Sequence, residues 1–214
     1  MFGLMLLSGV AAPGSPLRAQ GFRVALNGGG TLVRLQRTVG LRTDELTGVA
    51  ASGEGRLSLW RIELGAEYLE GQLEPRGSSA ASPRDLVEGS VVLGVRPVPW
   101  LVFKGGPHAR GYVQGGVTER WVSWEAGVRA DVAMAAPAVR GHLEVWHALS
   151  GDVTNAPGPF GGSQGGEVGM TLRFSRAPLW LRLSYGFERA RLASAAGLDM
   201  VESLTMVIGV GAGR

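Results

Sequence analysis

The stretch "RFSRAPLWLRLSYGFE", residues 173–188, decides how this chain is read. After Pro178, the residues Leu179, Leu181, Leu183, Tyr185 and Phe187 fall on every second position, and Trp180, Arg182, Ser184, Gly186 and Glu188 stand between them. A period of two belongs to a β-strand, whose successive side chains point to opposite faces. One face is apolar and the other mostly polar, but the period does not say which is inside. An apolar face turned to a protein core makes a soluble sheet. Turned to lipid, it makes a protein whose interior is charged.

The same alternation recurs along the chain. It starts at Phe22, Val24 and Leu26, continues through "TLVRLQR" (31–37), and is taken up again from Leu46 to Leu59. It returns in "RIELGAEYLEG" (61–71), "LVEGSVVLGVR" (86–96), "WLVFKGGPHARGYV" (100–113) and "RWVSWEAGVRADVAM" (120–134). "AVRGHLEVWHALS" (138–150), "GEVGMTLRFS" (166–175), "LWLRLSYGFERARL" (179–192) and "VESLTMVIGVGAG" (201–213) complete the set. The prediction is an all-β, up-and-down antiparallel transmembrane barrel of about ten strands, since most runs reach the roughly 9–11 residues of a tilted spanning strand. Residues 20–45 parse least cleanly and leave eight or twelve strands open.

Connection lengths point the same way. "RPVPW" (96–100), "MAAPAV" (134–139) and "SRAPLW" (175–180) read as tight turns. "EPRGSSAASPRD" (74–85), "QGGVTE" (114–119), "SGDVTNAPGPFGGSQGG" (150–166) and "ASAAGLD" (193–199) read as longer loops, of which 150–166 is the candidate for recognition. Short and long connections take turns, as they do when one end of a barrel has turns and the other has loops.

Composition narrows the function. The 35 glycines are spread through the apolar alternation rather than gathered in tracts, which argues against both disorder and a helical bundle. The formal charge is +3 and Lys104 is the only lysine. Arg alternates with Glu instead of forming the basic stripe of a nucleic-acid binder, so no nucleic-acid partner is expected. The absence of Cys removes disulfides and thiolate metal sites. Three His without shared spacing do not make a metal site, and no Gly cluster leads from a strand into a helix as a phosphate loop does. No cofactor is expected.

The first residues, "MFGLMLLSGVAAPGSPLRAQ", combine an apolar run with small residues and Pro. They read as a secretory signal, residues 1–19, cleaved after Ala19 and followed by a barrel over 20–214. The run is too short and too broken for a spanning helix, which needs about 20 apolar residues.

The polar faces carry long charged residues beside Gly and Ser, a large-with-small pattern suited to the bore of a narrow barrel. An Arg turned to lipid at mid-membrane would cost about 2–4 kcal/mol. Buried charges persist when paired, so the consistent assignment puts charges inside and Leu, Val and Phe outside. The residues expected in such a lumen network are Glu63, Glu67, Glu88, Lys104, His108, Arg110, Glu125, Arg129, Asp131, Arg140, His142, Glu144, Glu167, Arg173, Arg182 and Glu188. A turn at Pro97–Pro99 brings Glu88 near His108 or Arg110, and one around Ala135 and Ala136 sets Asp131 across from Arg140. Trp60, Trp100 and Trp180 lie beside short turns, as an interfacial girdle or as a plug at the bottom of the bore. A lipocalin-like secreted barrel has the same period with reversed faces. It is the soluble alternative.

With these runs and connections, residues 20–214 resemble the small outer-membrane β-barrel proteins of diderm bacteria, at the level of architecture and without a subfamily motif. The resemblance implies outer-membrane lipid as the surroundings, export through the periplasm, and a structural or interaction role, or a narrow pore, with any ligand or protein partner met by the loops. The chain ends "GVGAGR", without the terminal aromatic residue that many such barrels carry. Outer-membrane proteases and lipid-modifying barrels are the enzymatic alternative. His142 with Glu144, His147 with Asp152, and His108 are the nearest raw material, and none matches those patterns.

Overall fold

In the computed structural model, which describes residues 22–77, 79, 81–134, 138–193 and 197–212, the chain is a closed barrel of ten antiparallel strands. They are β1 (Phe22–Val39), β2 (Arg42–Leu59), β3 (Ile62–Pro75), β4 (Arg84–Val98), β5 (Leu101–Gln114), β6 (Val117–Ala133), β7 (Val139–Thr154), β8 (Phe160–Arg173), β9 (Leu179–Leu192) and β10 (Gly197–Ala212). Each strand pairs with its sequence neighbours, and β1 closes on β10. Closure leaves no open sheet edge, the condition for a sheet to stand in lipid. Followed once around the register, Val24 meets Leu57, Leu64, Leu93, Gly105, Ala126, His147, Gln164, Arg189 and Met200, and returns to β1 at Gln36. That displacement along β1 shows that the strands are strongly tilted, as closure requires.

The ten strands agree with the alternating runs, but three local expectations change. First, residues 20–45 hold a long β1 and the start of β2, joined at Gly40 and Leu41. The hairpin is invisible in the hydrophobic pattern because Val39 and Leu41 carry the alternation through the turn that Gly40, at φ 61, makes. Second, two expected loops shrink. Residues 114–119 become a two-residue turn at Gly115 and Gly116, both at positive φ, and 150–166 shortens to residues 155–159 as β7 and β8 extend into it. The contrast between short and long connections is therefore weaker than the sequence suggests. Third, Asp131 stands across from His142, and Arg140 across from Ala133. The strand ends at Ala133 and Val139 set that register, so Asp131 does not pair with Arg140; the turn residues 135–137 lie outside the described residues. Residues 1–21, and with them the expected signal, also lie outside.

The outer surface divides into two zones. From the end holding the termini, β9 presents Leu179, Leu181, Leu183, Tyr185 and Phe187 outward, then Arg189 and Arg191. β1 presents Phe22, Val24, Leu26 and Leu32, then Arg34 and Gln36. β3 presents Ile62, Leu64, Ala66 and Tyr68, then Glu70, Gln72 and Glu74. Large apolar side chains are exposed all round this belt, including Phe103 at 52%, Met206 at 59% and Ile208 at 56%. Its upper limit is marked by polar groups. The Tyr68 hydroxyl donates to Glu70 and the Tyr185 hydroxyl to Glu202, both at 2.8 Å, and Arg34 bridges Glu45 and Glu202 at 3.0 and 3.1 Å. An apolar belt of this kind, about 25 Å tall and rimmed by aromatics, is the surface a barrel shows to hydrocarbon.

The interior reverses at the same level. Inside the belt β9 carries Trp180, Arg182, Ser184, Gly186 and Glu188; beyond it come Ala190 and Leu192, both buried. β1 similarly passes from Arg23 and Asn27 to Val33 and Leu35, and β3 from Glu63 and Glu67 to Leu69 and Leu73. In the far third of the barrel, Leu35, Leu46, Leu73, Leu86, Tyr112, Trp121 and Leu192 form a buried apolar core. The assignment of charges inside and apolar groups outside thus holds across the lipid belt and inverts beyond it. The reason is the solvent: above the belt the outer face meets water, and apolar side chains turn inward as in a soluble barrel.

Candidate functional site: the charged bore

Below the apolar core, the bore encloses a cavity of about 1090 Å³. All sixteen residues expected in the lumen line it. They fall into layers from the termini end upward. Nearest that end, Glu63 accepts from Arg96 at 3.0 Å and Arg129 at 3.1 Å, and Asp131 accepts from Arg96 at 3.2 Å. Above it, Glu54 accepts from Asn27 at 2.7 Å and Arg182 at 2.8 Å, and contacts Arg56. At the same depth Lys104 pairs with Glu144, and His142 Nε2 lies 2.8 Å from Glu167. Near the top of the cavity Arg110 donates to Glu88 and Glu188, both at 2.6 Å, while His108 lies 3.1 Å from Glu88 and from Glu125. Ser163 and Ser123 donate to Glu188 and Glu125 at 2.8 and 2.9 Å.

Backbone register explains these meetings. Glu88 lies directly across from Arg110, and Arg129 and Asp131 share the inward face of β6. Arg182 and Glu54 come from β9 and β2, so their bond spans the bore and ties distant strands together. Three of the expected residues stand apart. Glu67 faces the cavity without an ion pair among the described residues, and Arg140 and Arg173 lie near the termini end, likewise without one. Sequence reasoning did not select Glu54, Arg56 or Arg96 as lumen residues. Glu54 and Arg56 share the polar parity of Ser52 and could have been found by it, whereas Arg96 lay in what read as a turn.

The tryptophans divide. Trp60 and Trp100 sit at turns and are exposed at 74% and 55%, while Trp180 points inward over Gly209, beneath Arg182. A Cβ at Gly209 would fall 2.2 Å from the indole, so only glycine leaves room for this ring.

Above the apolar core a second polar layer closes the far end. Arg37 donates to Asp199 at 2.8 Å and to Glu119 at 2.7 Å, and its guanidinium lies 5.2 Å from the Tyr112 ring centre. Trp121 Nε1 donates to Glu119 at 2.7 Å. The bore is therefore reached past residues of the termini-end turns, among them Arg61, Pro97 and Pro99, and is stopped at the other end.

None of the three histidines occupies the far rim. His108 and His142 are bound to carboxylates in the bore, and His147 lies on the outward face of β7. Among the described residues no cluster of His, Asp or Glu is arranged to hold a metal ion.

No protein-family model matches the sequence, and no curated protein matches it. Solved structures do match in fold. The outer membrane protease OmpT from Escherichia coli aligns with a TM-score of 0.57 and 8% identity, covering 91% of this chain and 98% of that one. An outer membrane channel from Pseudomonas putida F1 aligns with a TM-score of 0.51 and 9% identity, covering 94% and 100%. One neighbour's name is that of a protease and the other's that of a channel, so the shared property is the architecture. Closed ten-strand topology, an outward apolar belt and these neighbours together give the chain the fold of an outer-membrane β-barrel.

Proposed function

We propose that this protein is an integral outer-membrane barrel whose bore is shut at its external end, serving a structural or interaction role and not that of an open channel. The end holding both termini faces the periplasm, as an even strand number and short turns favour, and the far end faces outward. The observation that carries the reading is the buried apolar core across the bore, in which Leu35, Leu46, Leu73 and Leu86 of β1–β4, each no more than 2% exposed, are joined by Tyr112, Trp121 and Leu192 of β5, β6 and β9. Charged pairs below it hold the walls together, and the Arg37–Asp199–Glu119 tie covers it.

Recognition would then fall to the external connections, where Leu41 is fully exposed at the tip of the first hairpin. Residues 1–19 would serve as the export signal, supported by their apolar run and "LRAQ" ending. N-terminal sequencing of protein recovered from outer membranes should begin at Gln20, and an intact Met1 there would refute the cleavage.

Wild-type protein in a planar lipid bilayer should carry no resolvable ion current. The double variant Leu35→Ala and Leu86→Ala should carry current while still migrating faster unheated than boiled, as a compact barrel does. A steady current through the wild type would overturn the closed-bore reading.

A further inference from the structure

Inside the bore, most cations have a carboxylate partner: Arg56 and Arg182 use Glu54, Arg110 uses Glu88 and Glu188, and Lys104 uses Glu144. Arg23, Arg140 and Arg173 line the same cavity near its periplasmic mouth and make no ion pair among the described residues. The acids at their depth are already engaged, because Glu63 and Asp131 each serve both Arg96 and Arg129.

The register gathers these three cations on one side of the mouth. Arg140 on β7 stands across from Thr171 on β8, and Arg173 is the next inward residue toward the mouth. Arg173 stands across from Trp180 on β9, and Trp180 across from Gly209 on β10. Gly211, the following inward position, faces Ala25 on β1, beside inward Arg23. The two glycines put no side chain between Trp180 and Arg23. The indole fills that space, with its Nε1 3.9 Å from where a Cβ at Gly211 would lie. No acceptor among the described groups takes the Trp180 N–H. The arc from β7 to β1 therefore offers three guanidinium groups, an indole N–H and a hydroxyl, and no carboxylate.

We propose that this arc binds a phosphate group of a molecule that enters the bore from the periplasmic side. The inference rests on the bore being closed above and open below. Guanidinium forks match the paired oxygens of phosphate, and several of them favour a group of more than one charge over a single carboxylate. The cavity, about 1090 Å³, lies just above the roughly 300–1,000 Å³ range of small-molecule sites and has room for such a molecule. Deeper in the bore, Arg56, Arg182 and Lys104 are held by Glu54 and Glu144, and Glu67 carries no counter-ion among the described residues, so that layer offers an anion no free cation and the phosphate stays at the mouth.

Pyrophosphate, titrated calorimetrically into the folded full chain in a zwitterionic detergent at constant ionic strength, should bind saturably. R140Q with R173Q should weaken that binding at least tenfold, and R42Q with R76Q, at the external end, should leave it unchanged. If the first pair fails to give heat-modifiable barrel, R23Q alone carries the comparison under the same criterion. Repetition in nanodiscs separates the sources of the phosphate. Loss of pyrophosphate binding in phosphatidylglycerol discs but not in phosphatidylcholine discs assigns the site to a lipid headgroup; equal binding in both assigns it to a soluble phosphate ester. Absence of saturable binding to the wild type, or equal affinity in the mouth variants, would overturn the proposal. The closed-bore reading would survive that result if the wild type still carried no current.

Discussion

Arg110→Leu should destabilise the folded barrel by about 3–5 kcal/mol, because it leaves buried carboxylates without their counter-charge. Arg110 is 6% exposed and bonds Glu88 and Glu188 at 2.6 Å each. Glu88 retains His108, and Glu188 retains only the Ser163 hydroxyl. Two anions would then face each other across a narrow bore with one imidazole between them. Reversible urea unfolding in lipid vesicles gives the comparison. Arg34→Leu serves as the control: its ion pairs with Glu45 and Glu202 lie at the outer surface, with the Arg34 side chain 40% exposed, and such pairs contribute about 0–1 kcal/mol. Equal losses in the two variants would mean that the bore is as well solvated as the outer surface.

Leu183→Arg should cost about 2–4 kcal/mol in the same assay, the range for a cation on the lipid face at mid-membrane. Leu183 faces outward, 44% exposed, with Met170 and Met206 as its cross-strand neighbours, exposed 50% and 59%. Nothing polar on that face offers a partner, and a long side chain would have to snorkel several residues to reach the interface. Eight positions further along the same outward face stands the native Arg191, which donates to the Gly161 carbonyl at 3.1 Å. Arg191→Leu should change stability by no more than about 0.5 kcal/mol, as usual for surface positions. The Leu–Arg exchange, made in opposite directions at two heights on one face of one strand, thus reports where the hydrocarbon ends.

Period-two alternation made the fold legible, because a strand's two faces are set by backbone geometry alone. The lumen residues followed from parity: once Leu183 was placed outward, Arg182 and Ser184 had to point in. Three features escaped. The Gly40–Leu41 hairpin lay between strands of equal polarity, so no change of pattern marked it. Register could not be obtained from composition, and an Asp131–Arg140 pair gave way to Asp131 with Arg96 and Arg129. The inversion of the faces was missed although the letters carry it. On β9 the outward positions run Leu, Leu, Leu, Tyr, Phe and then Arg189 and Arg191, while the inward ones end in Ala190 and Leu192. Period is unchanged across that boundary and only polarity switches, so a search for alternation passes over it. The switch needs a second question, which solvent each face meets at each height.

That question has a direct measurement. The native chain has no cysteine, so single Cys substitutions along Leu179–Leu192 can be spin-labelled in lipid vesicles and their collision rates with oxygen and with a water-soluble nickel chelate compared. Labels at positions 179, 181, 183, 185 and 187 should favour oxygen, those at 189 and 191 should favour nickel, and those at 190 and 192 should be shielded from both. Higher nickel than oxygen accessibility at Leu183→Cys would put that face in water and contradict the account.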